Sequence, residues 1–285
     1  MSLDALDRLR HAVIATTHGG GQATIAAKLR RSGLDALEPI RTALSSEQAD
    51  AVERTADRLH AQGLDAVLLD QEGYPDTLRA TRSAPAALFL NGSRELLSRT
   101  ALGMCGSRNA TEEGLRAARA CGEAGAARGY NVVSGYARGV DMAAHTGALA
   151  SGGSTTIVLA EGIERFRVRR GEFAELWNPS RALVVSQFGP GQAWSAGAAM
   201  TRNAVISGLS KALVVIEAGE TGGTLAAGLH ALDRGQPVLV LQLFGAPAGN
   251  RLLHERGATP VSSRQELEAL LDDLPSNGSL QLSLM

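Results

Sequence analysis

The chain has 285 residues, enough for one large domain and a small one. Hydrophobic residues make up 44% and charged residues 20%, which excludes wholesale disorder, and a net charge of -1 means that any basic face must be local. No apolar run approaches the roughly 20 residues of a membrane helix, and the first residues carry no secretory signal pattern, so the expected location is cytoplasmic, away from any membrane. Cys105 and Cys121 form no disulfide framework and lack metal-ligand spacing; both read as core thiols.

Residues 1–62 are helical in pattern. Leu3, Leu6, Leu9 and Val13 recur at helical spacing, as do Ile25, Leu29 and Leu34, and then Val52, Ala56 and Leu59. The glycine turns between them suit a helix-turn-helix or helix-hairpin-helix DNA binder; the plainer reading is a helical cap on the main domain. Short strands follow at Gly63–Leu69 and Ala84–Gly92, separated by a turn at Tyr74-Pro75.

From Ala101 the pattern alternates. Apolar runs at Ala101–Cys105, Asn131–Ser134, Thr155–Ala160, Ala182–Gln187, Ala212–Ala218 and Pro237–Leu243 read as strands. Helical patterns lie at Thr111–Arg128, at Asp141–Ala150, around Arg202-Asn203, from Glu220 to His230, at Gly249–Arg256 and at Gln265–Asp272. That alternation predicts an α/β fold with a parallel sheet, in which ligands bind at the carboxyl ends of the strands. Residues 274–285 read as a loose tail.

Three strand ends open into helices through glycine turns led by Gly106, Gly135 and Gly222. Such turns let an anion approach unpaired backbone N–H groups at a helix N-terminus. Ser107, Ser134 and Thr224 add hydroxyls, and Arg108 adds a guanidinium suited to phosphate. One such turn is explained by chain geometry alone; three together favour anion binding. Neither phosphate-loop fingerprint is present, which disfavours a nucleotide triphosphatase or a dinucleotide dehydrogenase. Asp141 and His145 share a helix face, but a metal would need a third ligand, so His145 reads as a structural donor between turns. Glu217 and Glu220 bracket the end of a strand, where either could contact a ribose or base. The run Arg165-Phe166-Arg167-Val168-Arg169-Arg170 is the clearest basic patch and could guide a polyanion.

These residues together resemble the DNA-processing protein A (DprA/Smf) family, from about Tyr74 to Ala258. The resemblance lies in Tyr74-Pro75-x-x-Leu78, Leu88-Phe89-x-x-Gly92 and Gly106-Ser107-Arg108. It continues in Val133-Ser134-Gly135-x-Ala137-x-Gly139-Val140-Asp141-x-x-Ala144-His145, in Arg202-Asn203-x-x-Ile206-x-Gly208-Leu209-Ser210 and in Gly222-Gly223-Thr224-Leu225. It implies an extended Rossmann-like domain, residues 63–273, with helices on both faces of the sheet, preceded by the helical domain. It further implies single-stranded DNA as ligand, a homodimer, and a RecA-type recombinase as partner in DNA uptake, recombination or defence. Carried over to this sequence, Arg108 and Arg202 contact phosphates. Gly106, Ser107, Ser134, Gly135, Asn203, Gly222, Gly223 and Thr224 form a backbone cradle, and Arg138 and Gly139 of the second turn join that set.

The chain departs from the family pattern in places. Ala199-Met200 stand where members carry Phe-Pro before Arg-Asn, so a base-stacking aromatic is missing there, with Phe188 and Trp194 nearby. Ala204 replaces a second arginine, and the arginine run replaces a Tyr-Pro pair. No counterpart of the C-terminal winged helix of many members is expected. The leading expectation is a non-enzymatic binder of single-stranded DNA, with no cofactor and no metal. The alternative is a nucleotide-binding sensor or a phosphoribohydrolase-like enzyme of the same wider fold, whose Pro-Gly-Gly-x-Gly-Thr motif is not matched by Glu220-Thr221-Gly222-Gly223-Thr224. A partner-binding domain with a decayed pocket is a third reading.

Overall fold

Caps and turns define where the first helices begin. In the computed structural model, which describes residues 3–169, 171–243, 245 and 247–274, helix α1 (Ala5–Thr17) starts where the Asp4 carboxylate accepts from Asp7 N at 2.8 Å. Helix α2 (Gln22–Ser32) follows a turn in which Gly20 and Gly21 take φ of 75° and 112°. The short α3 (Glu38–Thr42) precedes α4 (Ser46–Ala61), which opens with a capping box between Ser45 and Gln48. The chain then runs through β1 (Asp65–Leu68), α5 (Asp76–Arg79), β2 (Ala87–Gly92), β3 (Ala101–Cys105), α6 (Glu112–Ala127), β4 (Asn131–Ser134), α7 (Val140–Ala150) and β5 (Ser154–Val158). It continues through α8 (Glu172–Leu176), β6 (Ala182–Ser186), α9 (Ala196–Leu209), β7 (Ala212–Val215), α10 (Gly223–Asp233), β8 (Val238–Leu241), α11 (Ala248–Glu255), β9 (Thr259–Val261) and α12 (Arg264–Asp272).

The strands form one nine-stranded sheet in the order β1-β2-β6-β5-β4-β3-β7-β8-β9. From β6 to β9 all pairings are parallel, while β1 and β2 join antiparallel at the β6 edge. The sheet is therefore mixed, and only its Rossmann-like part is the parallel sheet expected from the alternation. Strand β9 was not legible, because Thr259-Pro260-Val261 is short and carries a proline, which is tolerated at an edge.

Pleating sends alternate side chains to opposite faces. On β7, Ala212 and Val214, with Ile216 just beyond, enter one apolar cluster with α6, α7 and α12, whereas Leu213 and Val215 enter another with α1, α9 and α10. Both faces are thus covered, which is why the central strands read as continuous apolar runs. Helices α1 and α4 extend the second cluster, with Leu9, Val13 and Leu59 alongside Val67, Leu88 and Phe89. Cys105 and Cys121 fall in different clusters, and burial pushes each thiol up to about 12, so neither supplies a thiolate near neutral pH. The expected tail lies, but for Leu274, outside the described residues, as does Arg170 of the arginine run.

Helices α6 and α7 pack backbone against backbone. A Cβ at Gly122 would collide with Ala144 O, and one at Gly147 with Arg119 O. The close approach places the start of α7, and the turn before it, at a fixed height above the sheet. Gly147→Val should therefore destabilise the fold by about 1–3 kcal/mol or more, read as a lower urea midpoint. An unchanged midpoint would contradict this packing.

Candidate nucleic-acid interface

Strand order reverses between β3 and β7, which run side by side while their chains depart in opposite directions along the sheet. The crevice beyond their carboxyl ends is where a doubly wound sheet offers a binding site. Gly106-Ser107-Arg108 leave β3 there, Ser134 to Gly139 leave neighbouring β4, and Glu217 to Gly222 leave β7.

The three turns are joined to one another. Gly106 has no room for a side chain, since a Cβ would lie 2.5 Å from Val140 Cγ2. Gly139, at φ 78°, brings its own backbone against the carbonyls of Ser107 and Arg108, and Val140 N donates to Ser107 O at 3.2 Å. Thr224 Oγ1 donates to Gly106 O at 3.2 Å, and Asn203 Nδ2 donates to Gly223 O at 3.1 Å. Thr224 and Asn203 therefore connect elements, with their donors turned inward. Ser107 is half-buried, and its Oγ accepts from Asn109 N at 3.1 Å.

Beneath the second turn sits Asp141, buried in the first turn of α7. Its Oδ2 accepts from Ala137 N at 3.0 Å, and its Oδ1 lies 3.0 Å from Ser134 Oγ. Ser134 Oγ is also 2.7 Å from Met104 O, so its single hydrogen serves one acceptor at a time. The Arg202 guanidinium approaches Asp141 Oδ2 to 3.9 Å and donates to Val158 O at 3.1 Å, while its Nε has no partner. Arg202 is only 6% exposed, and burial lowers its pKa against the opposing pull of Asp141. A Cβ on Gly135 would collide with both Arg202 and Asp141, so only glycine fits above this pair. The resemblance implies a phosphate contact for Arg202; its guanidinium lies buried underneath the turn.

His145 completes the support. Its Nε2 lies 2.7 Å from Gly135 O, a carbonyl that can only accept, so Nε2 carries the hydrogen. Thr155 Oγ1 lies 2.6 Å from Nδ1 and 2.8 Å from Val132 O, so its single hydrogen serves one of these acceptors at a time. The expected face shared by Asp141 and His145 is realised, with both holding the Gly135 turn.

Above this framework the turns expose two arginines and one carboxylate, Glu220. Arg108 and Arg138 are exposed, and Arg108 lies over the Trp194 indole at 5.2 Å. Gly222, at φ 107°, has nothing within 4 Å of a would-be Cβ, so the N-terminus of α10 is open. Further along the edge, Arg169 stacks on Tyr136 at 4.3 Å, and the Tyr136 hydroxyl donates to Arg167 O at 3.0 Å and accepts from Arg169 N at 2.9 Å. Arg165 Nε donates to Gly191 O at 2.9 Å. Residues 165–169 of the basic patch are thus pinned to Tyr136 and to Gly191.

The two carboxylates considered for a ribose separate. Glu217 is buried, and both its oxygens accept from Thr111 N, at 3.2 and 3.1 Å, with the Thr111 hydroxyl donating as well. It is the anion at the N-terminus of α6. Glu220 is exposed in the open turn. Sequence reasoning missed Asn250, whose Oδ1 accepts from Ala218 N at 2.7 Å while its Nδ2 donates to Ile216 O and Leu241 O, both at 2.8 Å. It ties β7 to β8 at the crevice. The Gly249-Asn250 pair was its signal, since a Cβ at Gly249 would strike the Ala218 and Gly219 carbonyls.

Two outcomes follow from these supports. Burial lowers the His145 pKa, so below about 6.5 the unfolded chain takes up a proton that the native chain does not. Stability contributed by neutral His145 is present above that pH and is lost as pH falls through the window; thermal unfolding should show this slope in the wild type and a flatter one in His145→Gln, and parallel slopes would contradict it. Glu217→Gln, which removes the charge at α6, should cost on the order of 1 kcal/mol in denaturant unfolding, and no change would place the carboxylate elsewhere.

A model of the DNA recombination-mediator protein A family matches residues 65–272. Protein Smf of Escherichia coli K12 is 33% identical over 290 residues, covering 94% of this chain and 77% of its own. The X-ray structure of DNA processing protein A from Streptococcus pneumoniae superposes with a TM-score of 0.74 at 23% identity, covering 96% of this chain and 99% of that one. DNA processing protein A from Helicobacter pylori, studied for its single-stranded DNA binding mode, gives a TM-score of 0.62 at 22% identity, covering 74% of this chain and 97% of that one. The matched segment runs from the first residue of β1 to the last of α12 and includes every turn described above. The chain belongs to the DNA recombination-mediator protein A (DprA/Smf) family.

Proposed function

We propose that the chain binds single-stranded DNA along the carboxyl edge of its sheet and presents it to a protein partner. The observation that carries this reading is the exposed pair Arg108 and Arg138, set around Ser107 and the open N-terminus of α10 at the strand-order reversal. On a chain of net charge -1, this is a local cationic and N–H-rich edge suited to successive phosphates. Gly222 and Gly223 let the strand approach the backbone at the start of α10, while Gly106, Gly135 and Gly139 let the turns pack against their own supports. Ser134, Asn203, Thr224 and the buried Arg202 hold those turns in place. Membership of the family, and the single-stranded DNA binding mode of the Helicobacter pylori protein, point the same way.

A RecA-type recombinase as recipient, a homodimer as the working form and a cytoplasmic setting belong to this proposal. Residues 63–273 would carry the DNA, with residues 1–62 as a helical module against the β1–β2 edge. The nucleotide-hydrolysing alternative finds less support, because the buried Glu217 carboxylate is held by Thr111 and not turned to the crevice.

Fluorescence polarisation of a labelled oligothymidine tests the reading. Wild-type affinity should fall steeply as salt rises, since each phosphate contact releases counterions. Arg108→Ala and Arg138→Ala should each weaken binding and reduce the logarithmic salt slope by about 0.7 per lost contact on a single strand. No binding at low salt, or binding indifferent to salt, would overturn it.

A further inference from the structure

Aromatic residues make up only 4% of this chain, and nearly all of those described are occupied by packing. Phe89, Phe166, Phe173 and Phe188 are buried. Tyr136 lies under Arg169, and Trp177 stacks with Phe166 and Phe173 at centroid distances of 5.4 and 5.6 Å. Trp194 differs: it is 50% exposed, and the Arg108 guanidinium lies over its ring at 5.2 Å. It is also held in place, because the next residue, Ser195, caps α9 by accepting from Ala198 N at 3.0 Å, and α9 carries Arg202 and Asn203.

A guanidinium on a half-exposed indole is a favourable but weak contact in water. It is an arrangement that a single strand of nucleic acid can exchange with. A base has a flat π-face that replaces the guanidinium on the ring, and the phosphate beside that base offers the guanidinium a stronger, charged partner. Resting on the reading of the previous subsection, we propose that Trp194 is the base-stacking platform of this protein, and that Arg108 covers it in the free chain and moves from the indole to the adjacent phosphate when a nucleotide arrives. The platform recognises the π-face common to all bases, so it takes any single-stranded sequence.

The experiment compares a labelled oligothymidine with an abasic oligomer of the same length, against the wild type, Trp194→Ala and Trp194→Phe, at low salt. The wild type should prefer the base-bearing strand. Trp194→Ala should bind oligothymidine about 10-fold more weakly while binding the abasic oligomer within about twofold of the wild type, and Trp194→Phe should keep most of the preference. In a Trp177→Phe background, emission from Trp194 should change on adding oligothymidine and not on adding the abasic oligomer. Equal binding of both oligomers by the wild type, or a preference undiminished in Trp194→Ala, would overturn the platform and leave the DNA reading standing. Absence of wild-type binding to either strand would overturn the DNA reading and the platform with it.

Discussion

The carboxylate of Asp141 is the point on which the strand-end surface depends. It accepts the Ala137 N–H, lies beside the Ser134 hydroxyl and faces the buried Arg202. The pair it forms with Arg202 is long and desolvated, which makes it weak evidence for stability. Its effect is geometric. Removing either partner would strand the other charge in the core, at a cost on the order of 3–5 kcal/mol, so the two persist together and fix the Gly135 turn between them. Because that turn locks onto the Ser107 and Arg108 carbonyls through Gly139, and Gly106 onto Thr224, one buried anion sets the position of all three strand ends.

A division of labour follows. Groups under the surface, Arg202, His145, Glu217 and Asn250, direct the hydrogen bonds they make to the protein's own backbone, side chains or helix ends. Groups on the surface, Arg108 and Arg138, lie exposed, and the α10 N-terminus is open. A polyanion site built this way needs little reorganisation, because the backbone donors are already placed and only exposed arginine side chains move. Partial charges of helix ends and the exposed arginines act locally on this edge, where Glu217 is turned inward and Glu220 is the exposed carboxylate.

Much of this was legible in the sequence because burial on both faces writes strands as plain apolar runs and glycine turns mark their ends. The pairing of Asp141 with His145 came from spacing alone. The antiparallel β1–β2 edge and the three-residue β9 were less legible, since pairing direction leaves no periodic trace and Pro260 reads as a breaker. Arg202 shows the sharper limit. Next to Asn203 in a helix it looks like any solvent-facing cation, and only the missing Cβ of Gly135 reveals that the guanidinium has taken that space. Glu217 was similarly opaque, because its partner, Thr111, lies 106 residues away in sequence.

The central claim is that single-stranded DNA lies across the three joined turns. Amide hydrogen exchange, measured with and without a saturating oligothymidine, addresses it most directly. Exchange should slow together at residues 106–110, 134–141 and 219–225, in the same experiment and at the same oligomer concentration. Protection confined to the Gly19–Gly21 turn and α2, with the strand ends unchanged, would contradict it and move the DNA to the helical N-terminal region.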